Sequence, residues 1–209
     1  MVKVWLAFLV AYLLGSIPTA YIVGRLAAGV DIRQVGDGNV GAKNVYLHVG
    51  PLPGIVVGIV DIAKGALAVL CAKELGLPEI AIMIAGFIVV LAHDWMLPLR
   101  FKGGQGMAAS VGAVLILLPR ETLIALATVG LFLVITRNWD LSCGIGLGLL
   151  PLMAWLAGQP PRRVLYPVLL FPTIGLKKLI DLPRARGLAS KYSVEGSNKG
   201  GCFSQERGG

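Results

Sequence analysis

Apolar residues run along this chain in long blocks separated by short polar breaks. Seven runs stand out, at roughly 3–24, 52–72, 78–97, 107–118, 121–136, 142–158 and 164–180. Blocks of this kind predict helices that cross a bilayer, for which about 20 residues are needed. Several runs are shorter than that. The runs 107–118 and 121–136 meet at Pro119, Arg120 and Glu121. They read either as two short helices in a tight hairpin or as one kinked helix, so six spans is the alternative to seven.

Composition points the same way. The chain is 56% hydrophobic and 14% charged, with a mean hydropathy of +0.79. Soluble domains carry about 25% charged residues, and so few charges would not cover a soluble fold of this size. The expected fold is an all-α integral membrane protein with about seven transmembrane helices. The first run is about 20 residues long, has polar positions near its end and lacks a clear small-residue cleavage site, so it reads as a span that stays rather than a signal peptide.

Charge suggests an orientation. Net charge is +8, and seven of the 19 basic residues lie after position 176. With seven spans, one face holds Arg25, Arg33, Lys43, Arg100, Lys102 and Arg137 besides this basic end. The other holds Lys3, Lys73, Arg120, Arg162 and Arg163. Cytoplasmic faces are enriched in Lys and Arg, which places the N-terminus outside and the C-terminus in the cytoplasm. Residues 1–182 then form the membrane domain, and 183–209 read as a basic, disordered cytoplasmic tail. Nucleic-acid binding does not explain the apolar runs. Cys71, Cys143 and Cys202 are far apart and form neither a metal motif nor a disulfide framework.

On this topology the polar loops 25–51 and 98–106 fall on one face, joined there by the stretch around Asn138 and Asp140. GDGNVGAKN, Gly36 to Asn44, matches G-x-G-x-x-G. It lacks the strand–loop–helix setting of a dinucleotide site, and Asn44 stands where a P-loop needs Ser or Thr. What remains is an anion nest of backbone N–H groups or a flexible connector. RFKGGQG, Arg100 to Gly106, places two cations and three glycines before an apolar run. It reads as an anion site at a helix N-terminus, with a positive anchor loop as the alternative. Asp61 and Lys64 are spaced to pair on one helix face within a span. They either line a site or form a structural ion pair. His93 and Asp94 are adjacent and do not face one another on a helix. Ser16, Pro18 and Thr19 put a proline break and two hydroxyls late in the first run. No Ser-His-Asp or Cys-His set offers a nucleophile.

Taken together and in order, these motifs resemble the PlsY family of membrane glycerol-3-phosphate acyltransferases over about residues 10–182. GSIPTAYIVGR resembles the family's first-span motif, and GDGNVGAKN its GSGNxGATN loop. DIAKG matches D-x-x-K-G, and AHDWMLPLRFKGGQG resembles GHxxPxxxxFKGGKG. The resemblance implies transfer of a fatty acyl group from acyl phosphate to the 1-hydroxyl of glycerol 3-phosphate, giving lysophosphatidic acid and phosphate for phospholipid biosynthesis. It implies a bacterial inner-membrane enzyme with a cytoplasmic active site and no cofactor, metal, acyl-CoA or acyl carrier protein. It implies catalytic roles for Lys102, Asn39 and His93. Gly36, Gly38, Gly41, Lys43, Asn44, Arg100, Gly103, Gly104 and Gly106 would bind phosphate, with Asp61 and Lys64 in support. The chain departs from the pattern at Asp37, Lys43, Leu47 and Gln105, and the family's closing Arg/His/Asn motif is not recognisable in GLKKLIDLPRARG. A divergent or inactive member using another polyol phosphate, or a small-anion or lipid transporter, is the alternative. A transporter calls for polar residues continuing to the opposite face, and here they concentrate on one.

Overall fold

The computed structural model describes residues 1–201 of the 209, and every regular element among them is helical. The first apolar run forms α1 (Val2–Gly15) and α2 (Thr19–Ala28). Pro18 lacks an N–H and its ring obstructs the preceding turn, so the helix breaks there. A polar loop leads to α3 (Ala42–His48) and then to α4 (Pro51–Glu74), whose 24 residues suffice to cross a bilayer. Next come α5 (Glu79–Asp94), a second polar loop, α6 (Met107–Leu117) and α7 (Pro119–Thr136). Between the two readings offered for this region, the chain forms two helices that meet at Leu118. Pro119 opens α7, where a missing N–H removes no intrahelical bond. The sixth run is divided into α8 (Trp139–Gly148) and α9 (Leu150–Leu156).

The last helix, α10 (Pro161–Gly201), takes up the seventh run and continues past Pro183, where the tail was expected to begin. The final stretch of that expected tail, 202–209, lies outside the described residues. Among the described residues five segments are long and apolar enough to cross a membrane: Val2–Ala28, Pro51–Glu74, Glu79–Leu99, Pro119–Thr136 and Trp139–Leu156. The remaining two runs differ for definite reasons. Helix α6 has only 11 residues. Helix α10 carries Lys177, Lys178 and Asp181 at the end of its apolar stretch, yet Tyr166, Leu170, Ile174 and Lys177 are buried at helical spacing.

Helix α4 lies at the centre, packed by α1, α2, α3, α5 and α6. Its closest neighbour is α6, and glycine makes the approach possible. A Cβ on Gly65 would collide with the Ala109 carbonyl, and one on Gly112 would collide with the Ile62 carbonyl. Small residues at facing positions let helices pack closely where lipid removes the hydrophobic drive. Ala68, Ala72, Ala85, Ala109 and Ala113 continue this small-residue core. Large side chains point outward instead, among them Trp5, Leu9 and Leu13 of α1 and Ile55 and Ile59 of α4.

One charged pair sits inside this packing. Asp61 and Lys64 lie 2.9 Å apart on α4, each side chain no more than 3% exposed. Lys64 Nζ also donates to the Ile17 carbonyl at 3.2 Å, an acceptor made available by the break at Pro18. The break in the first run therefore supplies a ligand to the ammonium in the third dimension.

Two outcomes are expected. Gly112→Val should destabilise the bundle by about 1–3 kcal/mol through overpacking, whereas Gly130→Ala, which meets nothing within 4 Å, should leave it intact; thermal unfolding in detergent compares them. Lys64→Met strands a buried carboxylate, at a cost of about 3–5 kcal/mol, while Asp61→Leu combined with Lys64→Met should recover most of that loss in the same assay.

Candidate functional site

The first glycine loop is held at its entrance by an ion cluster. Arg33 donates to both oxygens of Asp31, from Nη2 at 2.7 Å and from Nε at 3.0 Å. The Arg33 guanidinium holds the Asp31 carboxyl below the usual carboxylate range. Arg25 reaches the same carboxylate at 3.4 Å, and both arginines stack over the Tyr21 ring.

Beyond this clamp, Gly36 and Gly38 adopt φ of +60° and +70°, a region side-chain-bearing residues rarely occupy. Asn44 explains the tightness of the turn. Its buried Nδ2 lies within 3.1 Å of the carbonyls of Ile32, Val35 and Asn39. The amide expected to face phosphate therefore stitches the loop's own backbone. Asp37 is exposed, and its Oδ1 accepts from the Asn39 N–H at 3.0 Å, a turn-stabilising contact. Asn39 Oδ1 is buried without a hydrogen-bond partner among the described residues. Gly41 caps α3 in extended conformation, and Lys43 follows in its first turn.

In the second loop the glycines serve close approach. Gly104 donates its N–H to the His93 carbonyl at 3.0 Å. A Cβ at Gly103 would strike that same carbonyl; one at Gly104 would strike the His93 ring and come within 2.7 Å of the Val40 carbonyl. The two glycine loops thus meet directly, with no room for a side chain between them. Arg100 and Phe101 reverse the chain in left-handed conformations, φ +53° and +63°, unusual for residues that carry side chains. Gly106 caps α6 at φ +66°, beside the Asp94 carboxyl. The side chains of Arg100 and Lys102 are exposed above the buried Gly103 and Gly104.

Below the loops lie the span residues. His93 is buried, its Nδ1 3.8 Å from Asp61 Oδ1. It stands between the Asp61–Lys64 pair and Gly104. The sequence-predicted residues therefore come together at one end of the bundle, although their depths differ. Lys102 and Arg100 are at the surface, the glycines form the wall, and His93, Asp61 and Lys64 form the floor.

Helix α10 contributes groups that motif reading missed. Lys177 is 2% exposed, pairs with Asp181 and lies 5.8 Å from the Trp95 ring. Arg184 reaches the first loop, its Nε 3.4 Å from where a Cβ on Gly38 would stand, with Leu188 beside it. That Nε is buried and lacks a hydrogen-bond partner among the described residues. The available signal was helical spacing: Lys177, Asp181, Arg184 and Leu188 recur every three or four residues and so share a face. His48 was also missed. Its ring fills the space beside Gly36, and Nδ1 lies 3.1 Å from the Asn44 carbonyl.

The arrangement is two abutting glycine turns with the exposed cations Lys102 and Arg100 at the edge, and charge of that sign suits phosphoryl oxygens. The Gly38, Asn39, Lys102 and Gly104 N–H groups are spent on Val35, Asp37, Leu99 and His93. Known proteins agree with that chemistry. The family model "Glycerol-3-phosphate acyltransferase" matches residues 5–180. A glycerol-3-phosphate acyltransferase 1 of Dehalococcoides mccartyi is 42% identical, covering 84% of this chain and 88% of the relative. A glycerol-3-phosphate acyltransferase of a Synechococcus species is also 42% identical, covering 82% and 83%. The crystal structure of PlsY, an integral membrane glycerol 3-phosphate acyltransferase, in its glycerol 3-phosphate form superposes with a TM-score of 0.79 at 29% identity, covering 87% of this chain and 90% of that one. Its lysophosphatidic acid form gives 0.77. With this fold, these two loops and this extent of similarity, the chain belongs to the glycerol-3-phosphate acyltransferase family and is an integral membrane protein.

Proposed function

We propose that this protein transfers a fatty acyl group from acyl phosphate to glycerol 3-phosphate, releasing phosphate and lysophosphatidic acid for phospholipid synthesis. The observation that carries this reading is the meeting of the two glycine loops at Gly104 and Val40. Two phosphorylated substrates need two anion cradles within reach of one another, and the loops form adjoining walls. Lys102, Lys43 and Arg100 provide charge at the rim. Arg184 adds a guanidinium from α10; its Nη2 lies 3.4 Å from Asp181, and its buried Nε, without a hydrogen-bond partner among the described residues, supports that role.

The chemistry matches a site without an evident nucleophile. Acyl phosphate is an activated mixed anhydride. The 1-hydroxyl of glycerol 3-phosphate attacks the acyl carbonyl, the new C–O bond forms, and the anhydride C–O bond breaks to release phosphate. A phosphate oxygen of a substrate accepts the hydroxyl proton. The protein then supplies orientation and stabilises developing negative charge, which together can account for most of a rate enhancement. Asn39 and Lys102 act at the reacting groups. His93 sits too deep to reach the surface and holds the Gly104 turn from below. Asn44 shapes the loop through its carbonyl contacts.

The distribution of Lys and Arg supports a cytoplasmic site and an outside N-terminus; a bacterial inner-membrane location rests on the family resemblance. Seven crossings follow if the buried face of α10 and the short α6 are counted with the five longer segments.

The test is an assay of purified protein with palmitoyl phosphate and glycerol 3-phosphate, reading released phosphate and lysophosphatidate. Product is expected with acyl phosphate and not with acyl-CoA. Lys102→Ala and Asn39→Ala should abolish phosphate release, and Arg184→Ala should raise KM for a phosphorylated substrate. Full activity in all three variants would overturn this assignment of residues.

A further inference from the structure

Lys43 is not alone at the rim of the first loop. Its Nζ lies 3.0 Å from Asp140 Oδ2, and Lys178 Nζ lies 3.0 Å from the same oxygen. Three elements distant in sequence meet here: α3 directly after the glycine loop, the first turn of α8, and α10. Asp140 is held in position by a well-bonded turn. Asn138 caps α8 by accepting from the Leu141 N–H at 3.1 Å, Ser142 Oγ donates to the Asn138 carbonyl at 2.7 Å, and Arg137 reverses the chain at φ +50°.

The charges are unequal. Two ammonium groups share one carboxylate oxygen, which leaves a surplus positive charge. A phosphate group near neutral pH carries more negative charge than a carboxylate and offers three terminal oxygens. It would complement the two lysines better than Asp140 does. The side chains of Lys43, Asp140 and Lys178 are 35%, 46% and 49% exposed. Ion pairs this open to water are weak and easily exchanged. By contrast, the neighbouring Lys177 is buried against Trp95 and paired with Asp181, which Arg184 also reaches at 3.4 Å, and is not available for exchange. Lys43 stands where the resembled loop has Thr, and Asp140 and Lys178 lie outside the quoted motifs, so this seat is built from residues the family pattern does not share.

We propose that Lys43 and Lys178 form an anion seat at the mouth of the site, that the Asp140 carboxylate occupies it before substrate arrives, and that a substrate phosphate displaces it. The inference rests on the reading of the glycine loops as phosphate cradles, which it deepens by naming an internal competitor. Asp140 then sets specificity for charge, because only a ligand more anionic than a carboxylate exchanges with it. It is a positioning residue and touches no reacting atom.

The experiment compares wild type with Asp140→Asn, Lys178→Met and Lys178→Arg in detergent. Inorganic phosphate is titrated by phosphorus NMR line broadening, and KM and kcat for glycerol 3-phosphate are measured separately. Asp140→Asn should tighten phosphate binding several-fold and lower KM with little change in kcat. Lys178→Met should weaken both several-fold, and Lys178→Arg should restore them. If Asp140 merely ties the helices together, Asp140→Asn will lower the melting temperature and leave phosphate affinity unchanged or weaker, which overturns the proposal. The phosphate titration does not need acyl transfer. Wild type without transferase activity but with tighter phosphate binding in Asp140→Asn would therefore reject the proposed reaction and leave the seat standing.

Discussion

The buried pair of Asp61 and Lys64 is the constraint around which the site is assembled. Two charges inside an apolar bundle persist only when they meet each other and further polar partners. Each partner recruited here belongs to a different part of the chain. Lys64 takes the Ile17 carbonyl released by Pro18, which fixes α4 against the break between α1 and α2. Asp61 faces His93 of α5, and the His93 carbonyl accepts the Gly104 N–H of the second loop. Hydrogen bonds thus tie the first helix pair to α4, and α5 to the loop that carries Lys102, while Asp61 and His93, 3.8 Å apart, face each other between them without one. The pair lies within α4, so it marks that helix's rotation: turning α4 would carry Lys64 off the Ile17 carbonyl and Asp61 away from His93.

Above that floor, most close contacts are made by atoms that are absent. Gly65 and Gly112 let α4 and α6 approach, and Gly103 and Gly104 let the second loop lie on α5. At Gly104 the same economy of side chain brings the second loop against Val40 of the first. Gly36 and Gly38 add a second reason, a left-handed backbone, to the same lack of space for a Cβ. The apparent phosphate motif therefore answers two requirements, turn geometry at Gly36, Gly38 and Gly106 and steric clearance at Gly36, Gly103 and Gly104. In both loops part of the backbone donor set closes the loop itself, Gly38 on Val35, Asn39 on Asp37 and Gly104 on His93.

Departures from the family pattern also acquire physical meanings. Asp37 places its carboxylate oxygen on the Asn39 N–H, so its charge serves the turn. Lys43 finds Asp140 and Lys178. Arg184 approaches Gly38 from a helix whose sequence lacks the family's closing motif. Cationic character at the mouth is thus contributed by residues from several elements.

The sequence by itself determined the membrane class, the helical character, the placement of both glycine loops on one face and the pairing of Asp61 with Lys64. These follow from local quantities: hydropathy over a span, charge between spans, and helical spacing within one element. Only the tertiary structure decided which groups line the loops and at what depth. His93 is a floor residue beneath Gly104, Asn44 binds its own loop, and Lys178 and Arg184 join from α10, because those outcomes depend on the rotation and tilt of helices distant in sequence. Arg184 shows this limit. Basic composition and scattered Gly and Ser read as a tail, yet Arg184 lies on a helical face whose partner, Gly38, is remote along the chain. Composition reports what a segment is made of, and packing reports what it meets.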